Sequence, residues 1–521
     1  MMRKLVQSFL LLVLVLLNSL GLAAGLEPLS LQFLLVNDFH GQIRQDAEAP
    51  GALKLLTTAD ILVKTNPEGS ILIGGGDMLS GTLDSNEFRG RPALEMMNAM
   101  GFVADACGNH AFDNNGKVIR QQAHWAKFPF LAANIRDREG NYAKPFQPSV
   151  LVTKKGVKVG IVGLATMETP VKATQSNMEG FVFTDPVKEG NAAIAALRKQ
   201  GAQVIVLVAH MATSQAKDGK ITGAELLPLV EKLDPVDVIL SGHSHEVVAG
   251  FVTVNGRQVP LVQSGWAGNN VAGVRAVYAP DLQALTQVQP FMQGTANTVP
   301  AVDPKLQKRL ESFLTSVDKK YRTPLATNVS TLVSDRWDPQ ASACADVFMD
   351  LLRQETGAQV ALYNGGGFRS ELPAGDVTQV SIMNVFPFNG VVYTAELKGS
   401  DLRKAVEHGL DNKKYGFLRF SGLQVIGRVD LPEGQRIVDL KLSDGTEVKD
   451  DQLYKISTND FLLSGGDDYS MVKNATQVVK KGLEVPFMKK ALQKKQKLDY
   501  HPDNRLQIVG GSTAGSVQHH K

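Results

Sequence analysis

"ACGNHAFD", residues 106–113, sets an amide, Asn109, beside an imidazole, His110, with a carboxylate, Asp113, three residues on. The segment before it, "MGFVADA" (100–106), reads as a helix end running into a short buried strand. A single cluster of this kind is a capped surface turn, so its meaning depends on how the other strands end. From residue 31 to about 280, apolar β-rich runs alternate with helical stretches, the pattern of an α/β domain. "LQFLLV" (31–36), "SILIGG" (70–75), "VKVGIVGL" (157–164), "AQVIVLVA" (202–209) and "VDVILS" (236–241) are nearly continuous apolar runs. Strands covered on both faces read this way.

Five strands finish with metal-ligand residue types just past their carboxyl ends, where α/β sheets place their sites. "LLVNDFH" leaves with Asp38 and His40, "ILIGGGD" with Asp77, and "VADACGNH" with Asn109 and His110. "IVLVAH" leaves with His210 and "VILSGHSH" with His243 and His245. Of the ten histidines in the chain, five lie in these motifs, which chance placement does not explain. Three Asp/Asn-type oxygens and four imidazoles without a thiolate suit zinc, manganese, iron or cobalt. They are too many for one tetrahedral ion and fit two ions about 3.5–4 Å apart sharing a bridging carboxylate. Such a centre is net positive, which favours a phosphate anion and an activated water. Asn109 can ligate without adding charge. His110, pointing the other way, can donate a hydrogen bond as charge develops on a phosphoryl oxygen. Asp113 is spaced to hold its other nitrogen and favour the protonated form.

The chain has 521 residues, long enough for two domains, with 43% hydrophobic and 21% charged residues, as in soluble globular proteins. A net charge of +3 argues for neither a nucleic-acid partner nor an acidic tail. Arg3 and Lys4 precede "FLLLVLVLL" (9–17) and small residues, which predicts a signal peptide over residues 1–25, cut around Ala23 to Gly25. The mature chain is then exported, periplasmic or secreted, with no membrane anchor. Cys107 and Cys344 read as two buried thiols. A first α/β domain is expected over 26–300. Asp303 caps a connector helix within 301–325, with Leu306, Leu310, Phe313, Leu314 and Val317 on one face. A smaller α+β domain follows over 326–510, then a polar tail, 511–521.

In that second domain "YNGGGFRS" (363–370) offers a Gly turn with Arg369, able to cradle an anion. "FPFNG" (386–390) presents Phe388, and "NDFLLSGGDDY" (459–469) presents Phe461 and Asp467. Taken singly, each Phe reads as a core plug.

The motifs "NDFH", "GGGD", "GNHAFD", "VAH" and "SGHSH" resemble the calcineurin-like metallophosphoesterases. With the second domain, nearly the whole mature chain resembles the secreted 5′-nucleotidases, which include periplasmic UDP-sugar hydrolases. The resemblance implies a metallophosphoesterase β-sandwich flanked by helices and a C-terminal nucleotide-binding domain. It implies that Asp38, His40, Asp77 and His245 hold one divalent metal ion (zinc, manganese or cobalt). Asp77, Asn109, His210 and His243 hold the other, and His110 with Asp113 forms the catalytic dyad. Asn364, Arg369, Phe388, Phe461 and Asp467 fall on substrate-binding positions, the two rings stacking on the base. The implied activity is removal of phosphate from nucleoside 5′-monophosphates, with UDP-sugars as further substrates. The alternatives are a 2′,3′-cyclic nucleotide phosphodiesterase or broader phosphoesterase, and a non-catalytic nucleotide binder. The implied architecture puts the phosphate on one domain and the base on the other, with a hinge at the connector. Two departures stand out. Ala111 replaces the family's Glu, and in "SDRWDPQASACADV" (334–347) Trp337 takes a Glu position, leaving Arg336 as the nearest phosphate-contacting arginine.

Overall fold

The computed structural model describes residues 27–509 except 114, 115, 173, 174, 340, 411 and 413. The expected signal peptide, 1–25, and the expected polar tail, 511–521, lie outside the described residues. Among those described, no helix is long and apolar enough to cross a membrane.

The alternation of side chains along each strand builds the first unit. In Leu29–Val36, the side chains of Leu31, Phe33 and Leu35 enter one core while Leu34 and Val36 enter another. Val204–His210 divides likewise, Val204, Val206 and Val208 joining the first core and Ile205, Leu207 and Ala209 a third. The shared core lies between two six-stranded sheets, and helices cover their outer faces, so these strands have no polar face. One sheet carries Leu29–Val36, Ser70–Gly74, Ala104–Ala106 and Phe130–Leu131 in parallel, flanked by the antiparallel Asn270–Ala279 and Ala284–Gly294. The other carries Val157–Ala165, Val204–His210, Val238–Ser241 and Arg257–Ser264 in parallel, with Ser149–Lys154 and Val247–Val254 antiparallel at its edges. This is the expected β-sandwich with helical layers.

The chain divides into two compact units, Met1–Val317 and Asp318–Lys521. The division falls within the helix Pro304–Tyr321. Asp303 caps it, accepting from the backbone N–H of Lys305 and Leu306 at 2.9 and 3.0 Å. Its apolar stripe packs on the first unit, Leu310 within that core and Leu306 and Leu314 against it.

The second unit is α+β. Its five-stranded sheet runs Arg419–Ser421, Val360–Tyr363, Leu453–Asn459, Val391–Lys398, Thr476–Leu483 in spatial order. Helices Ala343–Thr356 and Glu484–Lys495 pack on one side and Gly399–His408 on the other. Both cysteines are buried and free, as the sequence suggested.

Candidate active site

In the first unit the strands deliver their carboxyl ends to one place. Asp38, His40 and His245 bring one ligand atom each within 4.8 Å of one another, and Asp77, His210 and His243 do the same. Asp77 also joins His40 and His110 in such a group, so its carboxylate faces both clusters. Asn109 Oδ1 lies 3.2 Å from His210 Nε2, which is 2.9 Å from Asp77 Oδ2. Asp38, His40, Asp77, His243 and His245 all have positive φ, between 49° and 83°. Left-handed backbone at non-glycine residues is strained, and strain of this kind gathers at functional sites. Gly108 admits the close approach: a Cβ there would stand 2.0 Å from Asp77 Oδ1.

The imidazoles are held in one tautomer by carbonyls, which can only accept. His210 Nδ1 donates to Gly75 O at 2.7 Å and His40 Nδ1 to Ser80 O at 3.0 Å. Each neutral ring therefore turns a bare Nε2 inward. The Asp38 carboxylate is fully buried; its Oδ2 accepts from Asn37 Nδ2 and the His243 backbone N–H. Its Oδ1 has no hydrogen-bond partner. Around that oxygen stand the Nε2 atoms of His245, His40 and His210 at 3.4, 3.7 and 3.9 Å. A buried carboxylate oxygen without a partner, ringed by three imidazole Nε2 atoms, fits a divalent cation.

Electrostatics agrees. Burial pushes the Asp38 carboxyl up, but the charge of His210 and the close His245 and His40 rings hold it well below the carboxylate range. Burial pushes His210 down, yet Asp77 and Asp38 carry it to about 10. Two buried carboxylates thus demand positive charge here. Behind them Asp105, driven by burial to about 7, accepts from the Gly76 N–H at 3.1 Å and braces the turn before Asp77.

His110 donates its backbone N–H to Asp77 Oδ1 at 2.9 Å, and its Nδ1 meets Asp113 Oδ2 at 2.7 Å. The Asp113 hydrogen bond raises the His110 pKa above its ordinary value, against burial. A cavity of about 370 Å³ opens here, lined by Asp77, Asn109, His110, Asp113, His243 and His245 together with Thr169. Three neighbours were not read from the sequence: Glu168, 3.1 Å from His243 Nε2; Trp266, stacked on His245 with centroids 5.7 Å apart; and Thr169.

In the second unit a cavity of about 730 Å³ is lined by Asn364, Arg369, Phe388, Phe461, Asp467 and Arg336, all six of the residues expected to meet substrate. Neither phenylalanine is a core plug, since Phe388 is 70% and Phe461 43% exposed. The Arg369 guanidinium lies 5.8 Å from the Phe388 ring centroid, and Asn364 Nδ2 donates to Asp467 Oδ2 at 3.1 Å. Arg336 lies over the Trp337 ring at 4.6 Å, so the residue in the Glu position packs under the arginine. Lys414, Tyr415 and the buried Glu484 also line this cavity. Glu484 accepts from Tyr363 and from the Gly390 N–H, fixing the turn beside Phe388.

Residues 31–247 match the calcineurin-like phosphoesterase family and residues 325–474 the 5′-nucleotidase C-terminal domain. The chain is 25% identical over 467 residues to the trifunctional nucleotide phosphoesterase protein YfkN of Bacillus subtilis, covering 80% of this chain but 31% of that protein. The chain thus spans about a third of the length of that relative. Protein UshA of Yersinia enterocolitica is 26% identical over 526 residues, covering 91% of this chain and 93% of UshA. Among solved structures, the 5′-nucleotidase precursor from Thermus thermophilus superposes with a TM-score of 0.58 at 22% identity, covering 93% of this chain and all of its own, a likeness of fold. The chain therefore carries a domain of the calcineurin-like phosphoesterase family followed by a 5′-nucleotidase C-terminal domain.

Proposed function

We propose that this protein is a metal-dependent hydrolase that removes phosphate from nucleoside 5′-monophosphates, with UDP-sugars as a second substrate class. The observation that carries the proposal is the Asp77 carboxylate facing two ligand clusters, with His110 at its side. Asp38, His40, Asp77 and His245 would hold one divalent ion and Asp77, Asn109, His210 and His243 the other, zinc, manganese or cobalt. When bound, the ions supply Lewis-acid polarisation of the phosphoryl group and an activated water.

The chain's own residues do the rest. His110, kept protonated by Asp113, donates a hydrogen bond to the phosphoryl oxygen as charge develops there. In the second unit, Phe388 and Phe461 offer ring faces to a nucleobase, a contact tolerant of base identity. Arg369 and Arg336 offer guanidinium groups to anionic oxygens, and Asp467, tethered by Asn364, is an acceptor for ribose hydroxyls. The substrate is a small nucleotide, not a nucleic acid. The basic and apolar N-terminus supports export to the periplasm or beyond.

The test is phosphate release by the purified full chain from AMP, UMP, UDP-glucose and 2′,3′-cyclic AMP, the last with added phosphatase, each with and without a chelator. Chelator-sensitive release from AMP or UMP is expected. Preference for the cyclic substrate would replace this reading with a phosphodiesterase. No release with added zinc, manganese or cobalt would leave a nucleotide binder.

A further inference from the structure

One wall of the cavity over the metal cluster does not come from the ligand motifs. The strand Val157–Ala165 also ends at this site, and the turn after it, "TMETP" (166–170), is fastened from elsewhere in the chain. Glu225 accepts from Thr166 Oγ1 at 2.6 Å and from the Met167 N–H at 2.7 Å. The Thr166 hydroxyl in turn accepts the Glu168 N–H at 3.2 Å. So clamped, the turn sets Glu168 against His243 and Thr169 into the cavity wall beside Asn109, His110 and Asp113.

Thr169 is 1% exposed, and its Oγ1 is buried without a hydrogen-bond partner. A hydroxyl taken out of water and left unpaired is disfavoured, and almost all buried polar groups avoid it. The residue that carries it lines a cavity whose other polar groups are two carboxylates, an amide and three imidazoles. It is an O–H donor waiting for an acceptor, and what the cavity would admit beside a dication pair is an oxyanion.

We propose that Thr169 is a substrate-binding residue whose hydroxyl donates to a non-bridging oxygen of the phosphoryl group, and that Glu225 is the positioning residue of the turn that carries it. The inference rests on the function proposed above, because the phosphoryl group must enter this cavity.

The test compares Thr169→Val, which keeps the shape and removes the hydroxyl, with Thr169→Ser, which keeps the hydroxyl. Inorganic phosphate is titrated calorimetrically into each manganese-loaded full chain, and melting is followed in parallel. Thr169→Val should bind phosphate about tenfold or more weakly, the loss of one hydrogen bond to a charged group. Its melting temperature should match or exceed that of the wild type, since an unpaired buried hydroxyl has gone. Thr169→Ser should retain wild-type affinity. Wild-type phosphate affinity in Thr169→Val, or a lowered melting temperature with affinity intact, overturns the inference while AMP hydrolysis leaves the proposed function standing. A wild-type chain that neither binds phosphate nor hydrolyses AMP overturns both.

Discussion

The Nε2 atoms of His40 and His245 face each other at 3.0 Å. Because His40 Nδ1 is committed to the Ser80 carbonyl, a neutral His40 directs a lone pair at its neighbour, beside the unpaired Asp38 oxygen. A cation would engage that lone pair and that oxygen together. Metal should therefore stabilise the fold by about 2.7 kcal/mol when present at a hundredfold excess over its Kd. Thermal melting with manganese against melting with a chelator checks this, and an unchanged midpoint would count against an ion at this position.

The dyad has a signed pH consequence. The pKa of His110 is raised, chiefly by its hydrogen bond to Asp113. The protonated ring is the donor, so its contribution to activity is present below that pKa and is lost as pH rises through it. Asp113→Asn removes the main raising cause, so the alkaline limb of the kcat profile should move to lower pH. His110→Ala should lower kcat by about 10²–10⁴-fold with metal content unchanged.

The exposed rings separate base recognition from phosphate chemistry. Phe388→Ala and Phe461→Ala should each weaken AMP binding by about 1–3 kcal/mol, read as a rise in KM. Hydrolysis of p-nitrophenyl phosphate, which has no nucleobase, should remain at the wild-type rate. Equal losses on both substrates would assign these rings to the fold instead.

Gly108→Ala tests the close approach around the shared carboxylate. The added methyl would meet Asp77 Oδ1 at 2.0 Å. Overpacking of this kind costs about 1–3 kcal/mol, and the displaced carboxylate should reduce bound metal. Elemental analysis of the purified variant would show it.

The doubly covered strands were readable because they leave continuous apolar runs, and the site because histidines clustered where those runs stop; the pairing of two sheets was legible only through the family resemblance. Thr169 and Glu168 escaped notice although they follow one of the same runs: "TMETP" holds no histidine, and an unpaired hydroxyl is visible only in three dimensions. Trp266 and Glu484 are distant in sequence from the groups they touch, so no local pattern marks them. Phe388 and Phe461 show the reverse limit. Phe388 sits in a turn and Phe461 in the one-turn helix Asp460–Leu463, and only the packing of Phe386 and Leu462 into the core beside them shows which rings stay out. The stripe on Pro304–Tyr321 likewise told that one face is covered, but not by which unit.

Five residues in left-handed turns and one carboxylate oxygen with no partner leave the metal-free polypeptide paying for a geometry it cannot use. Every ion captured pulls the equilibrium away from locally opened forms, which are the forms that proteases cut. Divalent metal supply would thus govern the lifetime of the chain as well as its turnover, and copies that mature without ions would be the first to be cleared.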